Sequence, residues 1–360
     1  MAEPTGARVA ILTGRDKGRA RESTLMGLMN GEIDILVGTH AIFQDSVTYR
    51  NLGLVVIDEQ HRFGVGQRLM LSRKGRRQPH TLAMTATPIP RTLVLAQYGE
   101  MEVSKLDELP PGRQAIDTRV VAMDRLAEVV DGVARHVETG QQAYWVCPMV
   151  RGSDSESDDL AAAEARFASL KARFGDDVVL VHGQLSAEEK DAGMERFASG
   201  AAKVLVATTV IEVGVDVPNA TLMVIEQADR FGLAQLHQLR GRVGRGSEKS
   251  TCLLLRGDAL SETARDRLAL MRETQDGFRL AEEDLRLRGG GELLGTRQSG
   301  DTPFNIATLE QIGRLQDAAN DDARLLVDRD GGLEGERGKA ARLLLYLMER
   351  DYGVQLLRGG

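Results

Sequence analysis

Cysteine is almost absent. The 360 residues hold two, Cys147 and Cys252, both inside apolar runs. They read as small core residues in a reducing compartment, and a thiolate zinc site is excluded for want of ligands. Long apolar runs are missing too. None reaches the length of a membrane span, which excludes a transmembrane helix. The opening stretch, Met1-Ala2-Glu3-Pro4-Thr5-Gly6, lacks the pattern of a signal peptide. These absences describe a cytoplasmic protein. Positive charge is not in excess, and a net charge of −7 excludes a wholly basic coat for nucleic acid. Acid is missing over one long stretch. No Asp or Glu lies between Glu59 and Glu100, where Arg62, Arg68, Arg73, Lys74, Arg76, Arg77 and Arg91 fall. Taken alone, that run reads as a solvated basic loop.

What is present has the order of an α/β protein. Length allows two or three domains and a large core. Arg8–Leu12 reads as a strand, 21–30 as a helix stopped by Gly31, and 33–37 as the next strand. Strands follow at 54–57 and 81–84. Strand, helix and strand at this spacing predict βαβ units and a parallel sheet. Leu109-Pro-Pro-Gly-Arg113 is a punctuated linker, after which the pattern restarts. Strands are expected at 118–122, 142–147, 178–181, 203–207 and 222–226. Helices are expected at 126–138, 160–174 and from the Ser186–Glu189 capping box to Phe197, with an acidic, Ser-rich loop over 152–159. From 261 onward the chain reads as helices with acidic connectors.

Leu54-Val55-Val56-Ile57 reads as a buried parallel strand, and it ends in Asp58-Glu59-Gln60-His61. Ligands collect at the carboxyl ends of strands in open α/β sheets. One carboxylate there suits Mg²⁺, and the second could activate a water that attacks a γ-phosphate. A plainer reading is two acids at the start of a helix, where the dipole favours them. From these residues alone the two stand about even. Thr85 and Thr87 end the next strand and suit phosphate, a neighbouring carboxylate, or a helix cap beside Pro88.

In the second half, Thr208 to Asp216 follows a strand directly. Gly214 allows close backbone approach to a ligand, and Asp216 could hold a ribose hydroxyl or an arginine; an ordinary turn explains both as well. Gln238-Leu-Arg-Gly-Arg-Val-Gly-Arg245 is more particular. Three arginines in six residues, spaced by glycine, suit bidentate phosphate contacts, either on a triphosphate or on a nucleic-acid backbone. An acid pair in one half and an arginine array in the other imply a nucleoside triphosphate bound between two α/β domains.

These strings resemble superfamily 2 helicases. Asp58-Glu-Gln-His61 matches their Walker B box, Thr85-Ala-Thr87 their third motif and Gly38-Thr39 a DNA-contacting motif. Thr208–Asp216 and Gln238–Arg245 match the fifth and sixth motifs. Three longer strings, Asp58–Arg68, Met84–Thr92 and Leu287–Gly300, are similar to the RecG group of bacterial DNA helicases. The last resembles the translocation hairpin that the RecG group shares with the transcription-repair coupling factors, and Gln60 and Thr296-Arg297 favour RecG.

The resemblance implies two RecA-like parallel-sheet domains, the first truncated, followed by a helical C-terminal region. Their expected bounds are 1–108, 109–256 and 257–360. It implies that Asp58 binds Mg²⁺ through water and Glu59 activates the attacking water. Gln60 and His61 then sense the γ-phosphate and signal to Thr85 and Thr87. Arg242 and Arg245 contact that phosphate, Gly214 and Asp216 lie at the nucleotide's edge, and Gln238 lies near the phosphates. Thr39 contacts DNA, while Arg288, Arg297 and Gln298 belong to the hairpin. ATP and Mg²⁺ are the implied cofactors. Branched DNA (forks and Holliday junctions) and single-stranded DNA-binding protein are the implied partners, with no membrane association and a monomeric state. One departure is large: the phosphate-cradling pattern G-x-x-x-x-G-K-[S/T] is nowhere in the sequence. Gly335-Glu-Arg-Gly-Lys-Ala340 lacks its spacing and hydroxyl. The family carries that loop, and a DNA-binding wedge domain, upstream. The expectation is a C-terminal fragment that binds ATP weakly, cannot unwind DNA alone, and leaves sheet edges and an apolar face exposed. A coupling-factor-like translocase and a non-enzymatic DNA-binding module are the alternatives, and a pure binder would need neither the acids nor the arginines.

Overall fold

Parallel strands joined by helices account for both halves of the chain. The computed structural model describes residues 3–60, 74–75, 79–86, 104–106, 108–110, 112–148, 156–208, 216–287, 309–331 and 333–347. The chain divides into two compact units, Met1–Ala86 with Asp321–Gly360, and Thr87–Asn320.

In the first unit, β1 (Val9–Leu12) pairs in parallel with β2 (Ile35–Gly38), and α1 (Gly18–Asn30) connects them. Gly31 ends α1 in the left-handed conformation at φ 74°, where its N–H returns to the carbonyls of the last turn. A second parallel pair is formed by β3 (Leu54–Ile57) and β4 (His80–Ala83). Side chains alternate across a strand. Val55 and Ile57 are therefore buried with Phe43, while Leu54 and Val56 are 59% and 53% exposed. The sequence reading of β3 as buried on both faces is corrected here: one face is covered and the other is open. Val9, Ile11, Ile35, Val37 and Leu82 are exposed in the same way.

The second unit is built on six parallel strands. In chain order they are β5 (Asp117–Ala122), β6 (Gln142–Val146), β7 (Val178–Val181), β8 (Val204–Ala207), β9 (Ala220–Ile225) and β10 (Thr251–Arg256). In space the order is β5-β10-β9-β6-β8-β7. The chain runs from β6 out to β7, back to β8, then past β6 to β9. That reversal makes the carboxyl end of β6 the switch point of the sheet. The helices are α2 (Leu126–Glu138), α3 (Glu156–Phe174), α4 (Ala187–Ala198), α5 (Leu233–Arg240), α6 (Glu262–Glu273) and α7 (Gly277–Leu287). Two more, α8 (Leu309–Arg329) and α9 (Glu336–Leu347), follow them in the chain. Here both sheet faces are covered, as a parallel sheet requires. Tyr144, Val146, Leu205, Met223 and Ile225 pack into one core, and Ala143, Trp145, Val204, Val206 and Val224 into the other.

Sequence reading found most of these elements but not β10 or α5. The acidic stretch assigned to a loop through Asp159 is helical from Glu156 onward. Acids near a helix N-terminus complement its dipole, so polarity alone could not separate helix from loop there. The Ser186 capping box is formed as expected, with Ser186 accepting from the Glu189 N–H and the Glu189 carboxylate accepting from the Ser186 N–H. Both cysteines are buried, and burial pushes the Cys252 thiol up to about 12. Among the described residues no helix is long and apolar enough to cross a membrane.

Gln142 is a polar residue the core depends on. It is 1% exposed, and its amide donates to the carbonyls of Phe197 (2.6 Å) and Ala202 (2.8 Å) just beyond α4. Gln142→Leu removes the buried side-chain donor from both carbonyls, of which Phe197 keeps a bond from the Gly200 N–H at 3.0 Å. The expected loss is about 2 kcal/mol of unfolding free energy, read as a lower urea midpoint with an unchanged slope; an unchanged midpoint would refute the role.

Candidate functional site: an acid-bearing strand end and an arginine loop

In the first unit, the backbone bends sharply where β3 ends. Glu59 has φ 49°, a left-handed conformation that costs a non-glycine residue on the order of 1–3 kcal/mol. Its N–H is taken by the Asp58 Oδ1 at 2.8 Å. Gln60 then returns to the sheet, donating its backbone N–H to the Met84 carbonyl at 2.9 Å, while the Met84 N–H bonds to the Ile57 carbonyl at 2.8 Å. The two strand ends are thereby zipped together, and Gln60 is brought beside the stretch that carries Thr85. Asp58 is exposed, Glu59 and Thr85 are half-buried, and Gln60 is buried. His61 and Thr87 lie outside the described residues.

Thr39 is exposed at the carboxyl end of β2. Gly38 is required before it, because a Cβ there would lie 2.3 Å from the Leu12 carbonyl oxygen. That close approach carries the chain across β1 and leaves Thr39 at the rim. Of the basic loop, Lys74 is described. It donates to the carbonyls of Gln44 and Val47, the latter at 2.9 Å, so it fastens two carbonyls of the unit. Its half-buried setting pushes its pKa down. Among the described residues no group of three or more His, Cys, Asp or Glu could hold a metal by itself. A lone exposed carboxylate such as Asp58 still suits Mg²⁺, which takes one or two carboxylates and fills its remaining positions with water and phosphate.

In the second unit the arginine motif separates into different roles. Gly232 and the Gln235 side chain start α5, and Gly241 ends it. Arg240, on the last turn, is 2% exposed. It donates to the carbonyls of Met271 (2.7 Å) and Thr274 (2.9 Å) at the end of α6, and faces the Nδ1 of His237 at 3.3 Å. It is a strut. Arg242 and Arg245 follow on the loop. Gly244 sits at φ 72°, and a Cβ there would meet Ile116 at 3.0 Å, so this turn needs glycine on both counts. Arg245 pairs with Asp216 at 3.5 Å and donates from Nε to the Gly241 carbonyl at 3.5 Å. Burial pushes the Tyr144 hydroxyl up to about 12, and the charges of Arg242, Arg245 and Asp216 also bear on it. Gln238 is half-buried on α5. Gly214, Arg288, Arg297 and Gln298 lie outside the described residues.

Sequence reasoning missed two arrangements in this unit. Arg166 of α3 and the Trp145 indole both donate to the Glu226 carboxylate, Trp145 at 2.5 Å, which forms a buried ion pair at the carboxyl ends of β6 and β9. The Gln275 side chain both donates to and accepts from the backbone of Ile116, each bond at 3.1 Å. A lone Glu after an apolar strand was the only signal for the first, and nothing local signals the second.

Three family profiles match the chain in succession. Residues 1–95 match the DEAD/DEAH box helicases, 122–247 the helicase conserved C-terminal domain, and 274–342 the domain described as "ATP-dependent DNA helicase RecG, domain 3, C-terminal". The ATP-dependent DNA helicase RecG of Escherichia coli (strain K12) is 51% identical over 311 residues, 85% of this chain and 45% of that protein. RecG of Bacillus subtilis (strain 168) is 49% identical over 330 residues, 92% of this chain and 48% of that protein. The chain spans about half the length of these curated relatives. A solved RecG bound to a three-way DNA junction is similar at a TM-score of 0.67 and 41% identity, over 89% of this chain and 41% of that one. A yeast Dbp5 structure bound to RNA and ADP BeF3 shares the fold at a TM-score of 0.53 and 14% identity, over 78% of this chain and 73% of that one.

His237 gives the arginine region a pH dependence. Burial, then the charges of Arg240 and Arg113, push its pKa down to about 4 from an ordinary 6.5. The unfolded chain therefore takes up a proton that the folded unit refuses between those values. The stability tied to a neutral His237 is full above about pH 6.5 and falls as pH drops toward 4. His237→Gln should flatten this part of the dependence, worth up to about 3 kcal/mol. Urea midpoints at pH 7 and pH 4.5 test it, and equal acid sensitivity in both proteins would overturn the assignment.

Proposed function

The chain is homologous to the RecG helicases along most of its length, and from that kinship we propose that it is part of an ATP-driven DNA motor acting on branched DNA. Residues 1–108 and 109–256 form its two motor domains and 257–360 its hairpin and helical C-terminal region. The three successive profile matches support that division. The protein works in the cytoplasm as a monomer on forks and Holliday junctions, with single-stranded DNA-binding protein as a partner.

In this reading Asp58 holds Mg²⁺ through water and Glu59 orients and deprotonates the attacking water. Bound Mg²⁺ supplies charge neutralisation on the transferred phosphoryl group. Gln60 passes a change at the phosphate on to Thr85, a role supported by its burial and by the bond from its backbone N–H to the Met84 carbonyl, one residue before Thr85. His61 and Thr87 complete that relay. Arg242 and Arg245 meet the γ-phosphate, with Arg245 the finger that stabilises charge in the transition state. Gln238 lies near the phosphates, and Gly214 and Asp216 at the nucleotide's edge. Thr39 contacts the DNA backbone, while Arg288, Arg297 and Gln298 turn domain motion into DNA movement.

The observation that carries this reading is the split within the arginine motif. Arg240 is spent on backbone carbonyls, whereas Arg245 is one-third exposed and paired at 3.5 Å to an exposed acid. A loosely paired guanidinium on a loop that a buried strut holds in place is organised to meet an anion. The test is ATP hydrolysis by this chain and by a version extended upstream through a phosphate-cradling loop, each with and without forked DNA. The expected result is fork-stimulated hydrolysis in the extended version only, reduced at least about 100-fold by Glu59→Gln or by Arg245→Ala. Fork-stimulated hydrolysis by the short chain, lost on Glu59→Gln, would show that another segment holds the phosphates.

A further inference from the structure

Arg113 lies more than a hundred residues from the arginine motif in sequence and beside it in space. The turn before it is tight: the Arg113 N–H bonds to the Pro110 carbonyl at 3.1 Å, and Gly112 supplies φ 83°. From there the chain is stitched along the arginine loop. Gln114 donates to the Ser247 carbonyl at 2.6 Å. Ile116 packs against Gly244 so closely that no larger residue fits there, and is clasped by Gln275. The chain on both sides of Arg113 is therefore held by hydrogen bonds.

The guanidinium of Arg113 is half-buried and donates from Nη2 to the Gly241 carbonyl at 3.4 Å. Arg245 donates to that same carbonyl at 3.5 Å. Two cations with five N–H donors each thus converge on one acceptor, and both bonds are long. Among the described residues no carboxylate forms an ion pair with Arg113, and Asp216 sits on the Arg245 side. Like charges this close repel, the Asp216 carboxylate answers the Arg245 side alone, and an added anion would gain from both cations; a tether to Gly241 would need one donor and no charge. We propose that Arg113 is a third guanidinium of the phosphate-binding group, gripping a terminal phosphate jointly with Arg245. This inference rests on the reading of Arg245 as a phosphate contact and adds a binding residue from outside the helicase motifs. Burial, and then the like charge of Arg245, also push the Arg113 pKa down.

Titration calorimetry of the 360-residue chain with inorganic tripolyphosphate tests it, using wild type, Arg113→Met, Arg113→Lys and Arg245→Ala. Methionine keeps the packing stem without charge, and lysine keeps the charge without the fork. The expected result is about a tenfold loss of affinity in Arg113→Met and Arg245→Ala, with part of it restored in Arg113→Lys. Unchanged affinity in Arg113→Met beside a loss in Arg245→Ala would overturn the proposal and leave the arginine-motif reading intact. A purely structural tether gives that pattern too, with only the thermal midpoint lowered. No loss in either variant, or no binding by wild type, would overturn both. A second arm uses an oligothymidylate, which carries phosphodiesters alone. Dependence on Arg113 in that arm and not with tripolyphosphate would make the group a nucleic-acid clamp and overturn the assignment to a terminal phosphate.

Discussion

The buried guanidinium of Arg240 governs where the second unit can place its other arginines. A cation that is 2% exposed must have acceptors, because an unpaired buried charge is costly. It finds them in the Met271 and Thr274 carbonyls, where α6 has run out of its own donors. One interaction therefore satisfies a helix end and fixes the last turn of α5 against it. The loop that follows, with Gly241, Arg242, Gly244 and Arg245, inherits its position from that anchor. The aliphatic contacts of Leu236, Leu239, Met271 and Leu280 fill the same interface, so the polar bond rests in an apolar frame. His237 completes it by remaining neutral beside the guanidinium.

The two units solve the parallel-sheet problem differently. In the second, both faces carry helices, and the central strands are buried at every position. In the first, alternate residues of β1, β2 and β3 are open to water among the described elements. Composition does not separate the cases, since Leu54-Val55-Val56-Ile57 is as apolar as Val204-Leu205-Val206-Ala207. Coverage by the rest of the chain decides, and coverage is a long-range property. The bent, zipped strand end at Glu59 and Gln60 forms nonetheless, because its bonds run between neighbouring strands and need no helix above them.

Legibility in the sequence followed the same division. The strands at 54–57 and 178–181, helix α2 and the Ser186 cap were readable because apolar runs, periodicity and a capping box are local signals. Asp58, Glu59, Arg242 and Arg245 stood out by their spacing and by the helicase strings they fall in, and their chemical roles are part of the proposal. Helix α5 was not, since its eight residues are too few to show a period and glycine brackets both ends. Nor could spacing distinguish the strut Arg240 from its neighbours two and five positions on: burial separates them, and burial depends on α6 arriving from thirty residues away. Arg113 and Gln275 were silent for the same reason, each being an ordinary polar residue until its distant partner is in place.

The clasp between Gln275 and Ile116 has a kinetic meaning. A side-chain amide that both gives and takes a hydrogen bond imitates the edge of another strand, so the Ile116 backbone behaves as though its sheet continued past the start of β5. Its amide hydrogen can trade with solvent only when that imitation strand lets go. A single peptide group therefore carries a clock for how often the segment before β5 parts from the residues leading into α7, independent of whether the six-stranded sheet itself ever opens.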